Sequence, residues 1–137
     1  MALNTSTGYA LRALLEISGE GGASVSAQSI CERQKLPKKY IEHLLRSLRK
    51  AGLIKSSAGS LGGYTLARPA DKISLHDVVE AVGDHSWQLD CHMDKHHCLG
   101  DKCGLLPLFR ELAGKQRELL ETYTLEKIME FKAEEKQ

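Results

Sequence analysis

Residues 36–68 read LPKKYIEHLLRSLRKAGLIKSSAGSLGGYTLAR. Ile41, Leu44, Leu45 and Leu48 recur at helical spacing, which predicts a helix over Lys38–Lys50 with one apolar face. Lys39, Glu42, His43, Arg46 and Arg49 fall on the opposite face. Pro37 suits the first turn, where its missing N–H is not needed, and Gly52 stops the helix. Leu53–Ser56 and Tyr64–Ala67 then read as two strands around the turn-rich SAGSLGG, so a hairpin follows the helix. Gly62 and Gly63 permit a tight bend or a close backbone approach.

Upstream, Tyr9, Ala10, Ala13, Leu14 and Ile17, widened by Leu11 and Leu15, predict an amphipathic helix over Thr5–Ser18, ended by GEGG. Ser26 can cap a short second helix, Ala27–Gln34, with Ile30 and Cys31 turned inward. Two short helices joined by a tight turn, the second basic outside, read as a helix-turn-helix, and the hairpin as its wing. The expected class is mainly α with a small β-hairpin: a winged helix-turn-helix followed by a long dimerisation helix. The second helix would enter a DNA major groove with Lys38, Lys39, Tyr40 and His43. Arg46, Arg49, Lys55, Ser60, Gly62, Tyr64 and Arg68 complete the expected DNA-facing set.

The charge pattern agrees. The net charge is +1, but residues 31–72 carry ten Lys or Arg against Glu32, Glu42 and Asp71, a local +7 against −6 elsewhere. Such a basic segment is an electrostatic footprint for a polyanion. No apolar run approaches the roughly 20 residues of a membrane span, so no membrane partner is expected. Nor does MALNTSTGYALRALL resemble a signal peptide, and the expected location is cytoplasmic.

Beyond a fourth helix, capped by Ser74 and built on Leu75, Val78, Val79 and Val82, lies CHMDKHHCLGDKC, Cys91 to Cys103. It has neither helical nor strand periodicity and reads as a loop. Three of the four cysteines sit here with His92, His96, His97 and Asp94. In a reducing compartment clustered cysteines lean toward metal or redox roles. The loop lacks the close Cys-x-x-Cys pair of structural zinc sites. Wider spacing suits an iron–sulfur cluster, either 2Fe–2S or 4Fe–4S, with Cys91, Cys98 and Cys103 as ligands and a fourth ligand among His92, His96, His97 and Asp94. Thiol oxidation, or direct metal binding without a cluster, is the alternative on the same fold. No general base and orienter are visible outside the loop, so no enzyme is expected.

A helix of about 24 Å is then predicted over Pro107–Thr122. Leu105, Leu108, Phe109, Leu112, Leu119, Leu120 and Tyr123 form its apolar stripe, interrupted by Gln116, and a last helix covers Leu125–Ala133. So much apolar helix exceeds what a small core absorbs, which points to a homodimer interface. The expected division is 1–83 DNA-binding, 84–104 sensor loop and 105–137 dimerisation.

Four segments resemble the IscR/NsrR-type family of winged-helix bacterial transcription regulators: Tyr9–Leu14, Leu36–Glu42, Leu44–Leu53 and Gly62–Arg68, followed by three cysteines after the fourth helix. The resemblance implies a homodimer that binds a palindromic operator in double-stranded DNA and senses through an iron–sulfur cluster. Two departures stand out. Ala58, followed by Gly59, occupies the place where many members carry a minor-groove arginine before the first wing glycine. Leu106 and Gly8 stand where some members carry the non-cysteine ligand, so neither family ligand transfers.

Overall fold

The computed structural model describes residues 2–19, 21–60, 62–89, 91 and 95–135. Helix α1 spans Thr5–Ser18, α2 Ala27–Gln34 and α3 Lys38–Lys50, each with the expected bounds. Asn4 caps α1 by accepting from the Thr7 amide, and Ser26 caps α2 by accepting from the Ser29 amide. Between α2 and α3 the chain turns at Lys35, whose φ of 55° is left-handed, and the Lys35 amide closes onto the Cys31 carbonyl. Pro37 sits one place before the helix rather than inside it, at the N-cap.

The wing is a two-stranded antiparallel sheet, β1 (Ile54–Ser57) and β2 (Gly63–Leu66), with Ile54 opposite Leu66 and Ser57 opposite Gly63. Both strands are displaced by one residue from the sequence expectation. Leu53 donates its amide to the Leu48 carbonyl at the end of α3, so regular pairing starts one residue later. On the other side Gly63 joins the ladder and Ala67 falls outside it.

Val25 adds a bridge to the hairpin, exchanging both backbone hydrogen bonds with Tyr64 at 3.0 and 2.8 Å. Gly63 makes this approach possible. A Cβ there would lie 2.7 Å from the Val25 carbonyl carbon and oxygen.

Helix α4 (Leu75–Ala81) starts at a capping box, in which Ser74 and Asp77 each satisfy the other's backbone amide. Helix α5 runs over Leu106–Thr122, one residue earlier than expected, with Pro107 inside its first turn. Helix α6 continues to Glu135 rather than Ala133. A bridge between Ser74 and Thr124 ties the start of α6 to that of α4.

The principal core collects Ala10, Ala13, Leu14 and Ile17 of α1, Ile30 and Cys31 of α2 and the apolar face of α3, with Leu53, Ile54, Ile73 and Val78. Cys31 is a buried thiol, as its position predicts, and burial raises its pKa. Leu125 of α6 enters the same core, so the C-terminal helix packs on the winged-helix unit. Val79, Trp87 and Leu120 form a second, smaller cluster between α4 and α5.

The Gly63 contact has a measurable consequence. Gly63→Ala forces Val25 and β2 apart and should cost about 1–3 kcal/mol, the range for overpacking. Gly8 lies in α1 with nothing within 4 Å of an added Cβ, so Gly8→Ala should stabilise by about 0.5–1 kcal/mol. Urea unfolding midpoints that move in opposite directions for the two variants are the expected result.

Candidate functional site

Burial of one face of α3 fixes the direction of the other. Ile41, Leu44, Leu45 and Leu48 are at most 3% exposed. Lys38, Lys39, His43, Arg46 and Arg49 are therefore presented to solvent on the opposite side. Lys55 and Ser60 are exposed on the hairpin beside it. Arg49 donates to Ser56 Oγ at 3.3 Å, linking the charged face of α3 to β1.

Four of the expected DNA-facing residues prove to have structural partners. Tyr40 is half-buried, its hydroxyl lies 2.6 Å from Ser6 Oγ, and its ring packs edge-on against Tyr9. Tyr64 packs against the core through its side chain and pairs with Val25 through its backbone. Arg68 lies 3.6 Å from the Asp77 carboxylate and donates to the Ala51 carbonyl at 3.5 Å. The Gly62 amide closes the wing turn onto the Gly59 carbonyl, and a side chain at Gly62 would collide with the Ser57 carbonyl.

The cysteine loop leaves α4 through a stem with its own anchor. Asp84 is fully buried. One carboxylate oxygen accepts from the Asn4 amide at 2.9 Å and the Thr7 hydroxyl at 2.6 Å. The other accepts from the Ser86 amide at 2.9 Å and the Ser86 hydroxyl at 2.6 Å. Burial alone pushes a carboxyl up, but the donors from Ser86, Thr7 and Asn4 outweigh it and hold Asp84 at about 2. Three residues on, Trp87 is inserted between Val79 and Leu120, edge-on to His76. The Leu89 amide then donates to Gln116 Oε1 at 3.1 Å. The polar break in the α5 stripe is thus the residue that receives the loop stem.

Cys91 and Cys98 are exposed, Cys103 is half-buried, and all three are free thiols. Together with Asp101, Leu89, Leu106 and Phe109 they line one concavity of about 320 Å³ at the start of α5. The Gly100 amide donates to Cys98 Sγ at 3.4 Å. His96 and His97 lie in the exposed turn before Cys98. His92, together with Asp94, lies outside the described residues. Among the described residues no three His, Cys, Asp or Glu side chains close on a single ion position. Three thiols around a wider concavity fit a larger, multi-atom group better than one ion.

A family model described as "Rrf2: Iron-dependent Transcriptional regulator" matches residues 3–131. The chain is 37% identical over 131 residues to "Protein rrf2" of Nitratidesulfovibrio vulgaris, covering 94% of this chain and 87% of that one. The solved structure of T. potens IscR superposes with a TM-score of 0.75 at 30% identity, over 100% of this chain and 91% of that one. The oxidized form of Staphylococcus aureus CymR superposes with a TM-score of 0.68 at 29% identity, covering 93% and 95%. No helix among the described residues is long and apolar enough to cross a membrane.

The Asp84 anchor generates a pH prediction. Its folded pKa of about 2 lies below the usual carboxylate value, so its contribution is complete above about pH 4 and is lost as pH falls toward 2. That contribution is on the order of 2 kcal/mol. Asp84→Asn should be less stable than the parent at neutral pH, and the two stability curves, followed by urea unfolding, should converge below about pH 3.

Proposed function

The chain belongs to the Rrf2 family of transcriptional regulators, a non-enzymatic class, and on that premise we propose that it is a homodimeric DNA-binding regulator whose Cys91–Cys103 loop holds an iron–sulfur cluster. The observation that carries this reading is the shared concavity of Cys91, Cys98 and Cys103, with the Gly100 amide directed at Cys98. A cluster bound there would supply iron that responds to iron–sulfur status, redox state or nitric oxide. The three thiolates would hold it, with the fourth ligand drawn from His92, His96, His97 and Asp94, and Asp101 lines the same concavity.

The remaining steps belong to the chain's own residues. Leu89 on Gln116 and Trp87 between Val79 and Leu120 join the loop stem to α5. Leu105, Leu108 and Leu119 on and beside α5, with Phe131 on α6, are 44–50% exposed in the single chain, and a second copy is the occupant that hides them. Two-fold symmetry would then set two copies of α3 about 34 Å apart, one DNA turn, matching a palindromic operator in the bacterial cytoplasm. Lys38, Lys39, His43, Arg46, Arg49, Lys55 and Ser60, with the ring of Tyr40 among them, make up the DNA-facing surface. Gly62, Tyr64 and Arg68 hold the wing that presents part of it. In this division 1–83 reads DNA, 84–104 senses and 105–137 dimerises, although Leu125 shares the core of the first. A loop rearrangement changes operator affinity to the extent that the two states of the chain differ in affinity for DNA.

A second reading keeps the fold and lets the thiols respond by oxidation, without a cluster. Two exposed free cysteines on the loop favour it, as does the likeness to S. aureus CymR, one of whose solved structures is of an oxidized form.

Anaerobic purification followed by an absorption spectrum and iron and sulfide counts separates the readings. Visible charge-transfer bands with matched iron and sulfide, lost in Cys98→Ser, are expected. A colourless protein that still binds DNA and keeps its thiols titratable would transfer the role to thiol oxidation. Operator titrations of loaded and cluster-free protein at one salt concentration should differ at least severalfold, and equal affinities would rule out the switch. Lys39→Ala and Arg46→Ala should each lower the slope of log affinity against log salt by about 1 if they contact phosphate.

A further inference from the structure

We propose that α3 reads a thymine through its C5-methyl group, seated in a shallow apolar depression bordered by Pro37, Lys39, Tyr40, His43 and Arg46. The inference rests on the DNA-binding reading and specifies what that surface recognises. The depression measures about 380 Å³, lies on the solvent side of α3, and is lined largely by carbon. An apolar hollow is unexpected amid the most basic part of the chain.

Tyr40 accounts for much of it. Its hydroxyl is engaged by Ser6 and its ring is held edge-on by Tyr9. The hydroxyl is thereby turned toward α1, and the phenol offers the groove chiefly ring carbon. Pro37 adds a pyrrolidine ring and lacks an N–H. Lys39 and Arg46 contribute aliphatic stems whose cationic ends stay in water, and His43 closes the border.

The occupant must therefore combine an apolar projection with nearby negative charge. A thymine edge in the major groove does so: its methyl is the one apolar group that distinguishes a base pair there, and phosphates flank it. The volume exceeds what a lone methyl needs, so the hollow takes the base edge together with its methyl.

The test uses the full-length chain and a duplex recovered from a random pool by repeated selection. Each thymine of that duplex is replaced in turn by uracil, which removes the methyl and leaves the hydrogen-bonding edge unchanged. At one thymine per half-site the substitution should weaken binding about fourfold, the ratio expected for burying one CH₂-sized group. Tyr40→Ala and, independently, His43→Ala should diminish this discrimination.

If every uracil duplex binds as tightly as its parent, the proposal is overturned and α3 holds phosphates or other base groups only. A thymine preference undiminished in both Tyr40→Ala and His43→Ala also overturns it, since the methyl then sits elsewhere. If selection recovers no duplex at all, it is the DNA-binding reading beneath the proposal that fails. Because the uracil scan is made on unaltered protein, its outcome does not depend on how well either alanine variant folds.

Discussion

Burial of Ile41, Leu44, Leu45 and Leu48 against α1, α2, α4 and the hairpin leaves α3 no freedom to roll about its axis. Each such side chain contributes about 1.5–3 kcal/mol when fully buried, so turning the helix would expose most of what stabilises the unit. The aim of the charged face is thus set by the core behind it. The wing inherits its position from the same packing, because Leu53 is bonded to the last turn of α3 and Ile54 is buried beside it. Val25 then clamps the far strand of the hairpin. Helix, wing and the turn after α1 consequently form one continuous hydrogen-bonded and packed body.

Much of this is legible in the chain because it depends on local spacing. The bounds of α1, α2 and α3 follow from apolar periodicity and from Ser26 and Pro37 at their edges. The features that are not legible involve partners distant in sequence. Nothing around Asp84 distinguishes it from a solvated acid, since two of its donors, Asn4 and Thr7, are 80 and 77 residues away. Tyr40 falls on the outer half of α3, which suggests DNA, and periodicity cannot reveal that Ser6 claims its hydroxyl. Arg68 counts toward the basic segment although Asp77 offsets it in space. Gln116 looks like a flaw in an apolar stripe, and a lone polar residue at that spacing is the signal that something polar approaches it.

The cysteine loop is recognisable by composition alone, but its relation to the helices is not. Its two ends are held differently. On the α4 side it is anchored by Asp84, Trp87 and Leu89, through hydrogen bonds and a buried indole. On the α5 side Cys103 leads almost directly into the helix, with the Leu106 amide bonded to the Cys103 carbonyl. The exposed thiols therefore lie between a firm stem and a helix N-terminus, close to the apolar face of α5 and remote in sequence from α3. The same Asp84 that secures the stem also fixes Asn4 and Thr7 at the start of α1, and Ser6 between them holds Tyr40. The stem of the loop and the outer helix thus share the first turn of α1 as a common neighbour.

Trp87 is the single tryptophan of the chain. Its indole is 5% exposed, wedged between α4 and α5 and edge-on to His76. Intrinsic emission excited at the red edge of protein absorption therefore originates at one place, the seam between the loop stem and the long helix. The molecule carries its own optical gauge of that seam: the colour of the emission registers water reaching the indole, with no label attached.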